Sequence, residues 1–496
     1  MNTMQENIKV LALDFGASSG RAIIGTFNGE KIEIQEIHRF ANEPVNLNGT
    51  FYWDVLRLFH EIKISLIKAK SYGMISSIGI DTWGVDFGLL DKNGQLLANP
   101  IHYRDKRTQG MVQKVLRKIE GEKVYQITGT QFMELNTLFQ LCALKEKDPV
   151  MLKNADVLLL MPDLFNYFLT GKKRTEQSIA STTQCFEAIG KKWSKTIFDT
   201  LNLPTNILTE IVPSGTVIGK TQAELNLELG IEPITVVAVA GHDTQSALVA
   251  VPAQEKDFAF LSCGTWSLLG TELNKPLISS MSKKLNLTNE AAFGNKTSLL
   301  KNITGLWIIQ ECKRYWEKQG FNYSFAELNE LSLDAKPFKC FIDPDDEDFS
   351  KTGDLPERIK EYCLKTKQLI PQSIGEIVRC INESLAMKYK TSLKELEEAT
   401  EKNYPIIYMV GGGIKNALLC QMTANATNRT VSAGPVEATA LGNIVVQMMA
   451  LGKIKELETA RKIIKCSETV ESYKPQNTEA WESAFHAFEK IIKETK

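Results

Sequence analysis

The chain has 496 residues, 43% of them hydrophobic and 24% charged, with a formal net charge of −1. That length exceeds one ordinary core, so two domains of about 200 to 250 residues each are expected. Basic residues are scattered without a run, which sets aside nucleic acid and anionic membrane surfaces as partners; no apolar stretch reaches the roughly 18 residues of a membrane span. The opening MNTMQENIKV has neither the basic nor the apolar region of a secretion signal. Nine cysteines without a CxxC pair read as the reduced thiols of a cytoplasmic protein rather than a zinc or redox motif, Cys363 and Cys380 included.

KVLALDFGASSGRAIIGTF, residues 9 to 27, opens as an apolar strand that ends on an acid, Asp14. A turn of small residues follows, and then a second strand. Asn28-Gly29 predicts another hairpin into a strand near Ile32 to His38. Asp54 stands before apolar residues at helical spacing (Val55, Leu58, Phe59, Ile62, Leu66), and Gly73 is placed to end that helix. ISSIGID then returns as a buried strand running into TWGVDFGLLD, so the pattern is a mixed sheet flanked by helices. Residues 110 to 230 read as mostly helical.

ITVVAVAGHDTQSALVAV restores the strand signal, and FAFLSCGTWSLLGTEL follows at residues 258 to 273. LALDFGASSGRAIIGT and AFLSCGTWSLLGTE share one design, a strand, a small turn with glycine and a second strand, as expected of an internal duplication. Further on, YPIIYMVGGGIKNALLCQMTANA is a strand, three glycines and a helix. TVSAGP, VEATALGNIVVQMMALG and a last amphipathic helix over residues 479 to 494 complete the chain.

Gly411, Gly412 and Gly413 let a backbone approach an anion, or make a tight packing turn; both readings stay open. Neither GxGxxG nor a Walker loop is present. Thr265 in GTW, and Ser18, Ser19, Gly20 and Arg21 in the opening turn, offer hydroxyls and amides to phosphate, one turn per domain. Asp14 beside such a turn makes sense as a phosphate site only with a divalent cation between, and Mg²⁺ takes one or two carboxylates with phosphate oxygens. The alternative is an acid that merely caps the turn. Asp243 is either a helix cap or a group that orients a sugar hydroxyl and takes its proton. His242 beside it lacks any metal-ligand spacing, and the acidic run DPDDEDF, without EF-hand order, reads as a solvated loop. Trp83 and Gly84 suit a sugar face or a core equally.

LDFGASSGR, DTWGVDF, GHDT, SCGTWS, KNITGLW, VGGG and AGPVEATALGN occur in this order, and with them the chain resembles the FGGY carbohydrate kinases over residues 8 to 476. DTWGVDF, YRDKRT, FIDPDDEDF and KNITGLWIIQ mark one branch of that family. The resemblance implies an α/β fold of two actin-like (ribonuclease H-like) domains with a cleft between them. Residues 1–245 would bind sugar and 246–496 nucleotide. The implied reaction moves the γ-phosphate of ATP to a sugar hydroxyl with Mg²⁺. Residue by residue, Ala17, Ser18, Ser19, Gly20, Arg21, Thr265, Gln310 and one or more of Gly411 to Gly413 would contact ATP. Gly84, His242, Asp243, Thr244 and Asn302 would contact the sugar, with Asp243 as base and Asp14 assisting the metal. Asn302 and Gln310 rest on the resemblance alone. The implied sugar is L-rhamnulose. Gly241 and Gln245 in AGHDTQSAL resemble the kinases of L-fuculose, which keeps that sugar or a related ketose as the alternative, with a non-catalytic sugar sensor as a remoter one.

Overall fold

Val10 to Leu13 are wholly buried, and the first sheet is built outward from them. A computed structural model describes residues 7–495, and it divides into two compact units. The first comprises Met1–Gln254, Glu272–Leu299 and Ala438–Ser467; the second comprises Glu255–Thr271, Leu300–Glu437 and Glu468–Lys496. The sequence suggested one cut, at 245/246, whereas each compact unit is assembled from three segments. The physical reason is the apolar helix Ala438–Ala450, which packs on the strands Ile8–Phe15 and Ser77–Thr82 and on the helix Asp243–Val249. The fit is close: a Cβ at Gly442 would lie 1.7 Å from the Ser246 carbonyl oxygen.

The first sheet runs in the order Thr216–Lys220, Thr235–Ala238, Ser77–Thr82, Ile8–Phe15, Ser19–Phe27, Ile32–Ala41. Ile8–Phe15 is antiparallel to Ser19–Phe27 and parallel to Ser77–Thr82, so the sheet is mixed, as the hairpin-then-helix pattern predicts. Its central strands are continuous apolar runs because both faces are covered. The crossover helix Val55–Ala69 is capped by Asp54, which accepts from the Arg57 amide at 3.1 Å; the chain turns away at Gly73, φ 92°. Val55, Leu58, Ile62 and Leu66 form its buried face. The stretch from 110 to 230, expected to be mostly helical, instead alternates short helices with short strands and loops around a core that includes Phe139, Phe186 and Phe198.

The second unit's sheet carries, in order, Thr297–Thr304, Trp266–Leu273, Ala259–Cys263, Ile406–Val410, Thr430–Ala433 and Glu471–Tyr473. Beside it lies the long helix Ile374–Thr400, opened by Ser373, whose hydroxyl accepts from the Glu376 amide at 3.2 Å. The last helix, Thr478–Thr495, docks through Trp481, Phe485 and Phe488 onto Phe341, Met387 and Met422. Each fully buried ring of this kind contributes roughly 1.5–3 kcal/mol. Among the described residues, no helix is long and apolar enough to cross a membrane.

Candidate active site

Hairpin register places the first acid. Asp14 pairs with Arg21 across the opening hairpin and with Asp81 across the parallel neighbour. Arg21 donates to Asp14 Oδ2, so a charged pair stands at the end of the buried strand. The turn between is fixed from outside. Asn42 Nδ2 donates to the Gly16 carbonyl at 2.8 Å, and the Asn42 amide donates to Ser18 O at 3.1 Å. Ser18 is exposed and Ala17 and Ser19 are half-buried, leaving that rim open. Gly20 serves packing, since a Cβ there would meet the Phe40 ring at 2.2 Å.

Asp81 is buried, and sequence reasoning passed over it. Its Oδ2 accepts from Asn443 Nδ2 at 2.6 Å, while its Oδ1 has no hydrogen-bond partner. Burial, and then the charges of Asp14 and Asp243, push its carboxyl well up. Three carboxylates thus act on one another at the ends of two adjacent strands and the start of one helix. Hard oxygen donors with one oxygen orphaned are what a magnesium ion requires.

Asp243 is the first residue of the helix Asp243–Val249; His242, not Asp243, occupies the cap position. Its Oδ1 accepts from the Thr244 amide at 2.6 Å and from Thr244 Oγ1 at 3.2 Å, and about 32% of its side chain stays open. Burial and the Asp14 charge raise its carboxyl, whereas His242 lowers it. His242 bridges two acids, with Nδ1 2.8 Å from Glu290 Oε2 and Nε2 3.4 Å from Asp243 Oδ1. Burial alone would pull the imidazole down. The charge and hydrogen bond of Glu290, with Asp243 and Glu176, outweigh it and hold His242 at about 9, so it is an imidazolium at neutral pH.

The loop that delivers these residues is held by Glu176. Its carboxylate accepts from the Gly241 amide at 2.9 Å, from Ser178 Oγ at 2.6 Å and from Ser214 Oγ at 2.5 Å; Ser178 Oγ then accepts from the His242 amide at 3.2 Å. Glu176 and Glu290 lie in unremarkable sequence, so nothing local announces them. Gly84 sits against Thr182, where a Cβ would approach to 3.2 Å, beside Val85 at φ 66°. A β-branched residue with positive φ is a strained conformation. It is held here by Val85 N donating to Thr182 Oγ1 at 3.1 Å and Val85 O accepting from Thr137 Oγ1 at 2.6 Å. Trp83 is 5% exposed and donates to Asp86 at 3.0 Å beside Trp53, so it is core.

The second unit gathers the other candidates. The Leu306 and Trp307 amides donate to the Gly264 and Thr265 carbonyls at 3.1 Å each, and Thr265 Oγ1 lies 3.4 Å from Gln310 Oε1. The three glycines divide their duties. Gly411 adopts φ 90°, a Cβ at Gly413 would strike Cys263 Sγ at 2.4 Å, and a Cβ at Gly412 would meet nothing within 4 Å. Only Gly412 faces open space. Asn302 is half-buried on Thr297–Thr304, two residues before Thr304, whose amide donates to Asp345 Oδ1 at 2.8 Å. The acidic run is therefore not a solvated loop. Asp343 is 7% exposed, and Asp343 and Asp345 each grip the buried Lys388 at 2.8 Å.

Comparison with known proteins bears on the whole chain. Models of the FGGY family of carbohydrate kinases, N-terminal and C-terminal domains, match residues 9–250 and 259–451. A rhamnulokinase of Oceanobacillus iheyensis is 42% identical over 464 residues, 93% of this chain and 97% of its own. One of Bacteroides thetaiotaomicron is 40% identical over 491 residues, 99% of this chain and all of its own. Among solved structures, ligand-bound xylulose kinase from Lactobacillus acidophilus superposes with a TM-score of 0.80 at 17% identity, over 97% of both chains. Plasmodium falciparum glycerol kinase with ADP gives 0.77 at 16% identity, over 99% of this chain and 98% of its own. These two likenesses establish the fold.

Proposed function

The chain belongs to the FGGY family of carbohydrate kinases, and we propose that it transfers the γ-phosphate of ATP to O1 of L-rhamnulose, giving L-rhamnulose 1-phosphate. The relatives named rhamnulokinase, similar from end to end, support the sugar. The observation that carries the chemistry is Asp243, a partly open carboxylate whose loop is pinned by Glu176 and whose neighbour His242 is pinned by Glu290.

Asp243 accepts the proton of the attacking hydroxyl. Burial raises the Asp243 carboxyl, and the adjacent imidazolium of His242 opposes that rise. In phosphoryl transfer the transition state is loose, so orientation and charge neutralisation outweigh base strength. Gly84, His242, Thr244 and Asn302 orient the sugar. Ala17 to Arg21, Thr265, Gln310 and, of the three glycines, the open Gly412 receive the nucleotide. Asp14, with Asp81 beside it in register, fits Mg²⁺, which when bound neutralises phosphate charge. Eight of the nine cysteines are buried free thiols, which supports a reduced, cytoplasmic setting.

The features that favoured L-fuculose have a structural explanation. A Cβ at Gly241 would press on Glu176 Oε2 and Pro162 at 3.1 Å. Gln245 is wholly buried and donates to Glu290 Oε2 at 2.8 Å and to Ser298 Oγ at 2.7 Å. Both residues support the internal web of the loop and give no argument about sugar stereochemistry.

The test is ADP release by the purified protein with ATP and Mg²⁺ against L-rhamnulose, L-fuculose, L-xylulose, D-xylulose and glycerol. The highest kcat/KM is expected for L-rhamnulose. A preference for L-fuculose would overturn the sugar, and ADP release independent of sugar would overturn the reaction.

A further inference from the structure

Three cysteines converge where no sequence spacing announces them. Cys340 lies in the loop after the helix Phe325–Leu333, Cys363 in the helix Leu355–Lys365 and Cys380 near the start of Ile374–Thr400. Their sulfurs all lie within 4.8 Å of one another, and the residues are 2%, 0% and 2% exposed. Cysteines that pack as small hydrophobes have no need to turn their sulfurs together. Here they do, from three separate elements.

A metal–thiolate bond of about 2.3 Å places three sulfurs around one trigonal cation roughly 4.0 Å apart. The three sulfurs, all within 4.8 Å of one another, lie in the range that such a centre needs. Soft thiolates select soft cations and leave Mg²⁺ to oxygen ligands, so such a centre does not compete with the acids at Asp14. We propose that Cys340, Cys363 and Cys380 form a three-thiolate site for one soft d¹⁰ cation, of the Cu(I) or Zn²⁺ kind. Binding exchanges the thiol protons for the metal. It would fasten Cys340, three residues before Asp343, to both helices. That anchors the acidic loop whose Asp345 holds the Thr304 amide, near Asn302.

The test uses the full chain, reduced with a phosphine and freed of metal, titrated with Cd²⁺ while the ultraviolet thiolate-to-metal absorption and the Tm are followed. One equivalent per chain is expected, with a rise in Tm. The band should shrink in C340S, C363S and C380S alike and persist in C466S, which alters the exposed cysteine. Competition by Cu(I) and Zn²⁺ then tells which cation the site prefers, either result supporting it. No stoichiometric band and no Tm rise in the unmutated chain would overturn the proposal without any variant. So would a band lost only in C466S.

Discussion

The two large sheets repeat one plan with opposite chemistry. Outward from the edge, Thr216–Lys220, Thr235–Ala238, Ser77–Thr82, Ile8–Phe15 and Ser19–Phe27 pair antiparallel, parallel, parallel, antiparallel. Glu471–Tyr473, Thr430–Ala433, Ile406–Val410, Ala259–Cys263 and Trp266–Leu273 do the same. At the matching position of the central strands, the first sheet sets Asp14 opposite Asp81, and the second sets Ser262 opposite Val410. The next turn is charged in the first, through Asp14 and Arg21. In the second it is neutral, with Ser267 Oγ 2.7 Å from the buried Tyr389 hydroxyl and glycines pressed on Cys263. The backbone plan is the fold's, and the chemistry is decided by one or two residues at the strand ends. A carboxylate cluster suits a cation and a proton acceptor, while hydroxyls and close glycine backbone suit an uncharged cradle for a nucleotide.

The sharpest way to break that contrast is to remove the proposed base. Asp243→Asn is expected to lower kcat by about 10²–10⁴-fold, with ATP binding retained in a calorimetric titration. Near-normal turnover would refute its role. Asp14→Ser makes the first sheet imitate the second. A loss of about 10²-fold in kcat is expected, with the Mg²⁺ titration displaced to higher concentration; an unmoved titration would count against the metal role.

The buried His242 gives a pH signature of its own. Because its folded pKa stands at about 9 against an ordinary 6.5, its contribution to stability is complete below about 6.5 and is lost as pH rises through about 9. Chemical unfolding of the native chain should therefore show stability falling over that window. Glu290→Gln should flatten the fall, and an identical slope in both proteins would contradict the assignment. The smallest effects should separate the glycines. Gly413→Ala should cost about 1–3 kcal/mol in unfolding free energy, given the collision with Cys263. Gly412→Ala should unfold normally and raise KM for ATP several-fold.

Much of this was legible in the residues. The strand, turn and strand around Asp14, the cap at Asp54 and the helix opening at Asp243 follow from local patterning, which is where hydrophobic period and turn chemistry act. The supports of the site were not. Glu176 and Glu290 reach the Gly241–His242 segment from 65 and 48 residues away, and Asn443 reaches Asp81 from 362 residues away. No periodicity encodes such a meeting. The acidic run misled because its counter-charge, Lys388, sits on a helix 45 residues later than Asp343, and only the packed structure brings a buried lysine to it. Likewise Gly411 to Gly413 look equivalent in sequence, and only backbone angle and neighbours such as Cys263 tell them apart.

The bond from Asn443 to Asp81 also bears on the order in which the first unit is completed during synthesis. The helix Ala438–Ala450 belongs to the unit that begins the chain, yet it follows the segment Leu300–Glu437 of the other unit. On a ribosome adding about 5–20 residues per second, the central strand carrying Asp81 waits tens of seconds for its partner. During that interval the face that will receive the helix is exposed in the nascent chain. The later segment must leave the ribosome before the earlier unit closes, so messages truncated before residue 438 yield a first sheet without its cover.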